Sequence, residues 1–390
     1  MYRKNLISIL KSIYIVPIIL VLLFVNLFKP IKVCKIQTDR IGNSIIQFFC
    51  AKHLSKSIKT IYLFVLDEEN SSNSFWNSII KKQLSLMPKV FNEVCKWISY
   101  FRFIQFLSQK LNYEEIDQNC FLSSDLLNEE ENNQCKEKLK SLGWQENDKI
   151  ICLNVRDDKY LSEKFPNTDW SYHTYRNSDI SNYKDTIQWL LDKSYFVVRT
   201  GNQANKITGI NDSKFYDCTF SGAKDELFDL WLFLNCFATI TVSSGPDVLA
   251  AFAGKQMLVI NYLPFTRSMW FASASLAPKK LRNSIDKNYL SLSEYLETDL
   301  TTTSDYKDNN IEIIDLNSNE ILSIVEEFIK ELEINALNER KSDKSSDLGL
   351  SNADLYRLVT SYISPGYFNP NLRVSKKWLT LMEQNDVYKI

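Results

Sequence analysis

Short buried-type apolar runs alternate with segments of helical spacing through the middle of the chain. Apolar runs ending in polar residues or glycine occur in "KIICLNVRDD", "FVVRTG", "ATITVSSG" and "QMLVINYLP". Between them, "DISNYKDTIQWLLDKSY", "KDELFDLWLFLNC" and "PDVLAAFAG" place apolar residues at helical spacing. Strands that alternate with helices predict a parallel sheet with crossover helices. The loops that follow its strands gather at one edge, where ligands of such sheets bind.

A second, shorter α/β pattern precedes this one. The segment "KVCKIQTDRIGNSIIQFFCAKHL" predicts a strand, a polar turn and a helix, and "TIYLFVL" predicts another strand. From about 68 to 140 the pattern is irregular and mostly helical, and "NNIEIIDLNSNEILSIVEEFIKELE" closes the regular part with one strand and one long helix. The pattern therefore predicts an N-terminal domain over 31–145, a C-terminal domain over 146–335, and a linker with a helical tail over 336–390.

The N-terminus carries an uncharged apolar segment. From Ser12 to Phe28 no residue is charged, and lysines or arginines flank the segment on both sides. A helix that crosses the hydrocarbon core needs roughly 17 to 25 such residues, so this segment lies at the lower limit. Pro17 permits a kinked helix that enters one leaflet only. We expect residues 1–30 to form a membrane anchor or a monotopic helix, and the alternative is a buried core helix.

Charge and cysteine content narrow the classes of partner. The 46 basic and 47 acidic residues nearly balance, which argues against nucleic acid as a partner. Eight cysteines without a C-x-x-C pair, and only two histidines, argue against a structural zinc site and suit a reducing compartment. These counts favour a catalytic body in the cytoplasm, held at the inner membrane.

The turn "SSGP" after the strand "ATITV" is a candidate anion site. A serine hydrolase would need G-x-S-x-G and a later histidine, and this chain has neither. Ser243, Ser244 and Gly245 can instead place hydroxyls and backbone N–H groups around a phosphate at a helix N-terminus. The alternative is a turn that only caps a helix.

Two further segments with candidate residues for the phosphate site follow predicted strands of the same sheet. Arg156 and Asp157 come directly after "IICLNV", and Arg199 and Gly201 come at the end of "FVVRTG". A guanidinium binds a diphosphate through two parallel hydrogen bonds. The alternative for Arg156 is a surface ion pair with a neighbouring aspartate.

The first domain has its own polar turn. Asp39 and Arg40 precede Gly42 and Asn43, with which the helix opens, and Gly42 permits a sharp turn. Asp39 is a candidate general base for an acceptor hydroxyl, and Arg40, Gly42 and Asn43 are candidate acceptor contacts. The alternative is that Asp39 or Asn43 caps the helix and Arg40 pairs with Asp39.

Several long segments resemble a family of bacterial glycosyltransferases associated with surface-polysaccharide synthesis. They are "DRIGNSI", "CLNVRDDKYL", "YRNSDISNYKDTIQWLLDKSYFVVRTG", "FDLWLFLNCFATITVSSGPDVLAAFAGKQMLVINY" and "IEIIDLNSNEI", within roughly residues 35 to 335. "GNSIIQFFCA" and "NVRDDKY" are also similar, more faintly, to segments of fucosyltransferases, and the Ser-Ser-Gly turn is similar to the donor-phosphate loop of heptosyltransferases. The resemblance implies a GT-B-like fold, with two Rossmann-like βαβ domains facing a cleft.

This chain departs from the family at two positions. Where the family has R-I-G-H and H-V-R-D, this chain has Asn43 and Asn154. An asparagine side chain orients a hydroxyl but does not accept its proton. The remaining candidate bases are Asp39, Asp157 and His173, and an inactive homologue is the alternative.

The resemblance implies transfer of a hexose or deoxyhexose from a nucleotide-sugar to an acceptor hydroxyl in the synthesis of capsule, O-antigen or a related glycan. The acceptor is expected to be a lipid-linked or other glycan at the membrane. Arg156, Arg199 and the Ser-Ser-Gly turn would stabilise the leaving diphosphate without a metal or other cofactor. The alternatives are a nucleotide-sugar epimerase of double-Rossmann shape and a non-catalytic membrane-bound homologue.

Overall fold

The computed structural model describes residues 2–111, 126–157, 159, 162, 167–201, 204–220, 225–264, 273–340 and 372–384. The chain divides into two compact units, Met1–Leu126 and Leu127–Ile390. Each unit is built around its own parallel sheet, which confirms the predicted α/β class. The cleft between two GT-B-type domains stays a prediction.

The first unit contains a three-stranded parallel sheet in the order β2-β1-β3 within its described residues. Its elements are α1 (Tyr2–Asn26), β1 (Ile31–Gln37), α2 (Ile41–Leu54), β2 (Ile61–Asp67), α3 (Ser74–Gln83), α4 (Phe91–Tyr100), a 3₁₀ helix (Arg102–Leu107) and β3 (Ser108–Gln109). Strand β1 is central because its apolar residues are buried, and it pairs with β2 from Ile31↔Ile61 to Gln37↔Asp67.

Helix α1 packs on this unit along one face. Its residues Ile15, Ile19 and Leu22 are buried in one cluster with Val94 and Ile98 of α4. The predicted N-terminal helix is therefore present, with Pro17 inside it. Within the described residues, none of the helices combines the length and the apolar character that crossing a bilayer requires.

The second unit contains the larger sheet and most of the described elements. These are α5 (Glu129–Ser141), β4 (Ile150–Asn154), α6 (Lys184–Asp192), β5 (Phe196–Arg199), β6 (Phe215–Asp217), α7 (Glu226–Asn235), β7 (Ala238–Thr241), α8 (Asp247–Phe252), β8 (Gln256–Tyr262), β9 (Ala274–Pro278), β10 (Lys280–Asn283), α9 (Leu292–Glu297), α10 (Thr303–Asp308), β11 (Ile311–Ile314), α11 (Ser318–Arg340), β12 (Leu372–Val374) and α12 (Lys376–Gln384). Short 3₁₀ helices span Ser171–Arg176, Ile180–Tyr183 and Cys218–Phe220.

The seven described strands of the larger sheet run parallel in the order β12-β9-β8-β7-β4-β5-β6. Counted along the chain from β4, the six strands β6-β5-β4-β7-β8-β9 have the order 3-2-1-4-5-6 of a doubly wound Rossmann fold. Strands β4, β5, β7 and β9 are buried at every position, as expected for a sheet covered on both faces. From β4 the sheet extends to one side through β5 and β6 and to the other side through β7, β8 and β9. The strand order therefore reverses between β4 and β7.

Local capping explains where several helices begin. Asp225 accepts the N–H of Phe228 at 2.9 Å and starts α7. Asn317 accepts the N–H of Glu320 at 3.1 Å, while the Glu320 carboxylate accepts the N–H of Asn317 at 2.9 Å. This capping box starts α11.

Two segments lie elsewhere than the sequence pattern predicts. Helix α5, predicted for the first domain, belongs to the second unit, where Lys138 pairs with Asp225 at 2.7 Å. The tail supplies strand β12, whose Leu372 pairs with Ala274 of β9, besides the expected helix. Its Trp378 is buried and donates Nε1–H to the carbonyl of Pro278 at 2.8 Å.

Candidate functional site

The point where the strand order reverses lies between β4 and β7, and two predicted site segments leave the sheet there. Asn154, the last residue of β4, pairs in register with Thr241 of β7. Arg156 follows two residues after Asn154, and Ser243 follows two residues after Thr241. The structure thus confirms that Arg156 and the Ser-Ser-Gly turn (Ser243–Gly245) share the carboxyl edge of one sheet. In doubly wound sheets, ligands bind at this reversal point.

A buried carboxylate that we did not predict organises the turn. Asp247 is completely buried and accepts three hydrogen bonds: from the hydroxyl of Thr241 at 2.5 Å, the N–H of Ser244 at 2.5 Å and the side-chain amide of Asn154 at 2.8 Å. Because these partners come from β4, β7 and the turn, one side chain joins the two strand ends. Asn154 therefore has a structural role here.

Burial sets the protonation behaviour of Asp247. Loss of solvent raises the pKa of its carboxyl to about 6, although the three hydrogen bonds and the nearby charge of Arg176 act in the opposite direction. Part of the Asp247 population is therefore protonated in mildly acidic solution. The sequence shows this aspartate only as an acidic residue in the first turn of a helix, which is a common position for a surface charge.

Arg176 is a second residue that we did not predict for this site. Its Nη2 donates to the carbonyl oxygen of Ser243 at 2.8 Å. Ser243 has a φ of 63°, in the left-handed region that residues other than glycine adopt at an energetic cost. The strained backbone of the turn is therefore held from one side by Arg176 and from the other by Asp247.

The segment that carries this arginine is itself anchored by buried polar groups. The N–H of Ser178 donates to the carbonyl of Arg156 at 2.9 Å, and the amide of Asn261 donates to the hydroxyl of Ser178 at 2.8 Å. Lys279, also buried, donates to the carbonyl of Asn177 at 2.5 Å. These bonds fix the two arginine-bearing segments against each other at the edge of the sheet.

The turn retains groups that can bind an anion. Within the described part of the chain, the hydroxyls of Ser243 and Ser244 and the N–H of Gly245 make no hydrogen bond. The N–H of Ser244 is occupied by Asp247. Helix α8, which follows, has six residues, so the turn itself and the neighbouring arginines have to provide most of the attraction for an anion.

Asp157, one of the predicted catalytic residues, accepts hydrogen bonds at both carboxylate oxygens. One carboxylate oxygen accepts the N–H of Asn205 at 2.6 Å, and the other accepts the N–H of Lys159 at 3.1 Å. Both oxygens thus hold the loop that follows Arg156. The carboxylate fixes the shape of this loop, and we do not assign proton transfer to it.

Arg199 also lies elsewhere than predicted. Its side chain is completely buried, and Nη1 donates to Asp217 of the neighbouring strand β6 at 3.0 Å. The guanidinium is enclosed in the protein instead of facing a ligand, so Arg199 is not part of the candidate site. Gly201, which follows, has a φ of +137°, and a Cβ there would lie 3.4 Å from the Thr219 methyl. This glycine is required by the backbone of the loop.

The polar turn of the first unit is built on the end of β1. The Thr38 hydroxyl donates to the carbonyl of Asp67 at 2.5 Å, and its own carbonyl accepts from the hydroxyl of Ser72 at 2.9 Å. These bonds tie the loops after β1 and β2 together. Asp39 and Arg40, which follow directly, are exposed at this edge.

The start of α2 corrects two expectations. The N-cap residue is Arg40, in extended conformation and without a side-chain capping bond, so neither Asp39 nor Asn43 caps the helix. Gly42 is the second residue of α2 and is buried, so the chain turns before Gly42 and not at it. Asn43 is exposed in the first turn of the helix.

The third candidate base, His173, lies in the 3₁₀ helix that leads to Arg176. Its ring is 4.0 Å from that of Tyr172, centroid to centroid, and the two ring planes are tilted by 36°. Within the described residues, no cluster of three histidine, cysteine, aspartate or glutamate side chains is arranged to hold a metal ion. The arrangement thus offers two arginines, a strained turn and a buried acid at the edge of a parallel sheet.

Three solved chains match this one in the comparison of structures, and two glycosyltransferases are among them. No model of a protein family matches the sequence, and a search of curated proteins gave no significant match. One similar structure is the ADP-heptose LPS heptosyltransferase II of E. coli, with a TM-score of 0.34, 12% identity, and coverage of 60% of this chain and 86% of that chain. The other is a glycosyl transferase of family 9 from Veillonella parvula DSM 2008, with a TM-score of 0.38, 12% identity, and coverage of 63% and 86%.

Proposed function

We propose that this chain is a glycosyltransferase that moves a sugar from a nucleotide-sugar donor to an acceptor hydroxyl. One observation carries the proposal. At the reversal point of a Rossmann sheet, Arg156 and the Ser-Ser-Gly turn leave adjacent strands, and Arg176 and Asp247 hold the turn. Nucleotides bind at this place in doubly wound sheets, and a diphosphate needs fixed cationic and N–H donors there.

In the proposed reaction, the second unit binds the donor. The guanidinium of Arg156 and the free donors of Ser243, Ser244 and Gly245 bind the diphosphate. As the glycosidic bond of the donor breaks, negative charge develops on the diphosphate oxygen, and donors that are already in place stabilise it without reorganisation. This chemistry needs no metal ion, and we expect none to be required.

The first unit would supply the acceptor side. Asp39 is exposed at the carboxyl edge of β1, and no hydrogen bond engages its carboxylate within the described residues. We propose that it accepts the proton of the attacking hydroxyl, while Arg40 and Asn43 contact the acceptor. A hexose or deoxyhexose as the transferred sugar, and a surface glycan as the acceptor, are part of the same proposal.

Nucleotide binding by the purified protein tests the proposal. We expect a nucleoside diphosphate of the correct base, in a screen of all common bases, to raise the melting temperature, because a ligand that binds only the folded state stabilises it. Arg156→Ala removes a charge-assisted contact and should weaken binding by roughly 10- to 100-fold. Arg282→Ala is the matched control, since Arg282 forms an ion pair with Glu312 elsewhere in the same unit. The absence of stabilisation by every nucleoside diphosphate would refute the proposal.

Product analysis distinguishes transfer from the alternative chemistry. With a labelled nucleotide-sugar, a transferase releases the nucleoside diphosphate and places the label on the acceptor. An epimerase changes a stereocentre and leaves the sugar on the nucleotide. Label that stays in an isomerised nucleotide-sugar would show that the site belongs to an epimerase.

A further inference from the structure

The three parallel strands of the first unit begin at one edge, and the segments that lead into them expose large apolar side chains. Ile31 pairs with Ile61, and Val33 pairs with Ser108, so β1, β2 and β3 start side by side. The exposed apolar side chains just before these strands have exposures between 49% and 85%: Leu27, Phe28, Ile58, Phe103 and Phe106. We call these five residues the amino-edge surface.

The segments that carry these exposed side chains also contribute apolar residues to the core of the unit. The 3₁₀ helix before β3 buries Ile104 and Leu107 in the core of the unit, and it turns Phe103 and Phe106 outward. Helix α1 likewise buries one face and exposes Leu20, Val21 and Phe24 on the other. Exposed aromatic and aliphatic side chains that gather at one edge of a sheet are typical of a site of contact with a partner.

In the segments that carry the amino-edge surface, every charged residue is basic. Lys29, Lys56, Lys59 and Arg102 are exposed in the same segments. No aspartate or glutamate occurs within residues 1–38, 51–66 or 94–112. Lys32 donates to the carbonyl of Phe106 at 2.6 Å, which joins the start of β1 to the 3₁₀ helix. The surface is therefore both aromatic and cationic.

We infer that the amino-edge surface binds the surface of an anionic phospholipid bilayer. Aromatic and aliphatic side chains insert at the level of the headgroups, and each nearby lysine or arginine adds about 1 kcal/mol of attraction to anionic lipid. A protein partner would have to supply its own carboxylates to match the lysines, whereas anionic headgroups match a surface without carboxylates directly. This inference is independent of the proposed transferase reaction.

The orientation of the first unit follows from this contact. Strand β1 runs from the amino edge to the turn with Asp39, over seven residues. At about 3.3 Å per residue, the Asp39 turn lies on the order of 20 Å from the lipid surface. The unit would thus face the membrane with one edge of its sheet and keep the polar turn at the opposite edge.

Co-sedimentation of the full-length protein with vesicles tests this inference. We expect binding to vesicles of phosphatidylcholine with 30% phosphatidylglycerol, and weaker binding to vesicles of phosphatidylcholine alone. Phe103→Ser with Phe106→Ser should weaken the partition at least roughly tenfold, since two apolar side chains no longer enter the bilayer. Lys56→Glu with Lys59→Glu should weaken it similarly, and only for the anionic vesicles.

Matched variants on the second unit provide the controls. Ile285→Ser replaces an equally exposed apolar side chain, and Lys136→Glu with Lys330→Glu reverses two exposed charges. These controls should bind like the wild type, and circular dichroism should show that each variant is folded. The inference is overturned if the wild type does not bind anionic vesicles, or if the amino-edge variants bind as strongly as the controls. Self-association or capture of a protein without vesicle binding would overturn it as well.

Discussion

Asp247 connects the strand ends of the candidate site through a single buried side chain. Its folded-state pKa of about 6 lies above the ordinary value of 3.8, so the folded state binds the proton more tightly than the unfolded state. The contribution of this group to stability is therefore largest in acid and falls as the pH rises from about 4 to about 6. The shift corresponds to a change of roughly 3 kcal/mol.

Asp247→Asn tests this dependence on pH. The amide has nearly the same shape but does not titrate, so the unfolding free energy of the variant minus that of the wild type should rise by up to roughly 3 kcal/mol between pH 4 and pH 7. Urea unfolding at a series of pH values measures this difference, and groups outside the site cancel in it. A difference that stays constant across the range would contradict the raised pKa.

A substitution at Gly245 should change ligand binding without changing the stability of the fold. It is not among the glycines with positive φ, and it is partly exposed, so the backbone tolerates a side chain there. A branched side chain would nevertheless occupy the space beside the Ser243 and Ser244 hydroxyls. We expect Gly245→Val to keep the melting temperature within a few degrees and to lose stabilisation by the nucleoside diphosphate. Normal nucleotide binding by this variant would mean that the turn is only a corner of the chain.

Residues of the site divide into those that local sequence predicts and those that only the fold assembles. Arg156 and the Ser-Ser-Gly turn are predictable because each follows a buried run, and ends of parallel strands meet at one edge. Asp247 and Arg176 are not, because Asp247 joins the turn to Asn154, 93 residues away, and Arg176 binds Ser243, 67 residues away. The prediction that Arg199 contacts the donor was wrong, because the sequence does not show that this side chain is buried and paired with Asp217 of the next strand.

At the scale of elements, β5 and β6 are joined by a buried ion pair that is only partly satisfied. Arg199 donates Nη1 to Asp217, and within the described residues its Nε and Nη2 have no hydrogen-bond partner. Removing one partner of such a pair leaves an uncompensated buried charge and costs about 3–5 kcal/mol, whereas replacing both partners together by apolar side chains of similar volume is often neutral.

A single and a double substitution at this pair should therefore differ strongly. We expect Asp217→Ala to lower the unfolding free energy by roughly 3–5 kcal/mol, and the double variant Arg199→Met with Asp217→Leu to change it by less than about 1.5 kcal/mol. Arg282→Ala, at a more exposed ion pair, should cost at most about 1 kcal/mol. Chemical denaturation followed by circular dichroism measures all three. Equal losses for the first two variants would show that the pair stabilises the sheet as a unit.

Elements with clear periodicity were predictable, and elements set by distant contacts were not. Strands β4, β5, β7 and β8 and the helices between them follow the apolar pattern of the sequence, since both faces of those strands are buried. The three-residue strand β6 is only half-buried, and the pattern did not predict it. Strand β12 has three residues and forms only because β9 offers a free edge to Leu372–Val374. A run so short carries no period, so the sequence indicated only a tail there.

At the scale of the whole molecule, the two units carry different parts of the proposed reaction. The proposed donor site is built wholly from residues of the second unit, and Asp39, the proposed base, belongs to the first. Each role can therefore be removed by a substitution in one unit. Arg156→Ala is expected to weaken nucleotide binding, as argued above for the donor diphosphate.

Asp39→Asn, in contrast to Arg156→Ala, should slow the transfer step and leave nucleotide binding intact. Asparagine can hold an acceptor hydroxyl but does not take its proton, so the transfer rate should fall by roughly 10²- to 10⁴-fold while the Kd for the nucleoside diphosphate stays unchanged. Asp308→Asn, at an exposed aspartate of the second unit, is the matched control and should alter neither quantity. Single-turnover transfer and a thermal-shift titration measure the two quantities on the same preparations. A normal transfer rate in Asp39→Asn would show that another group takes the proton.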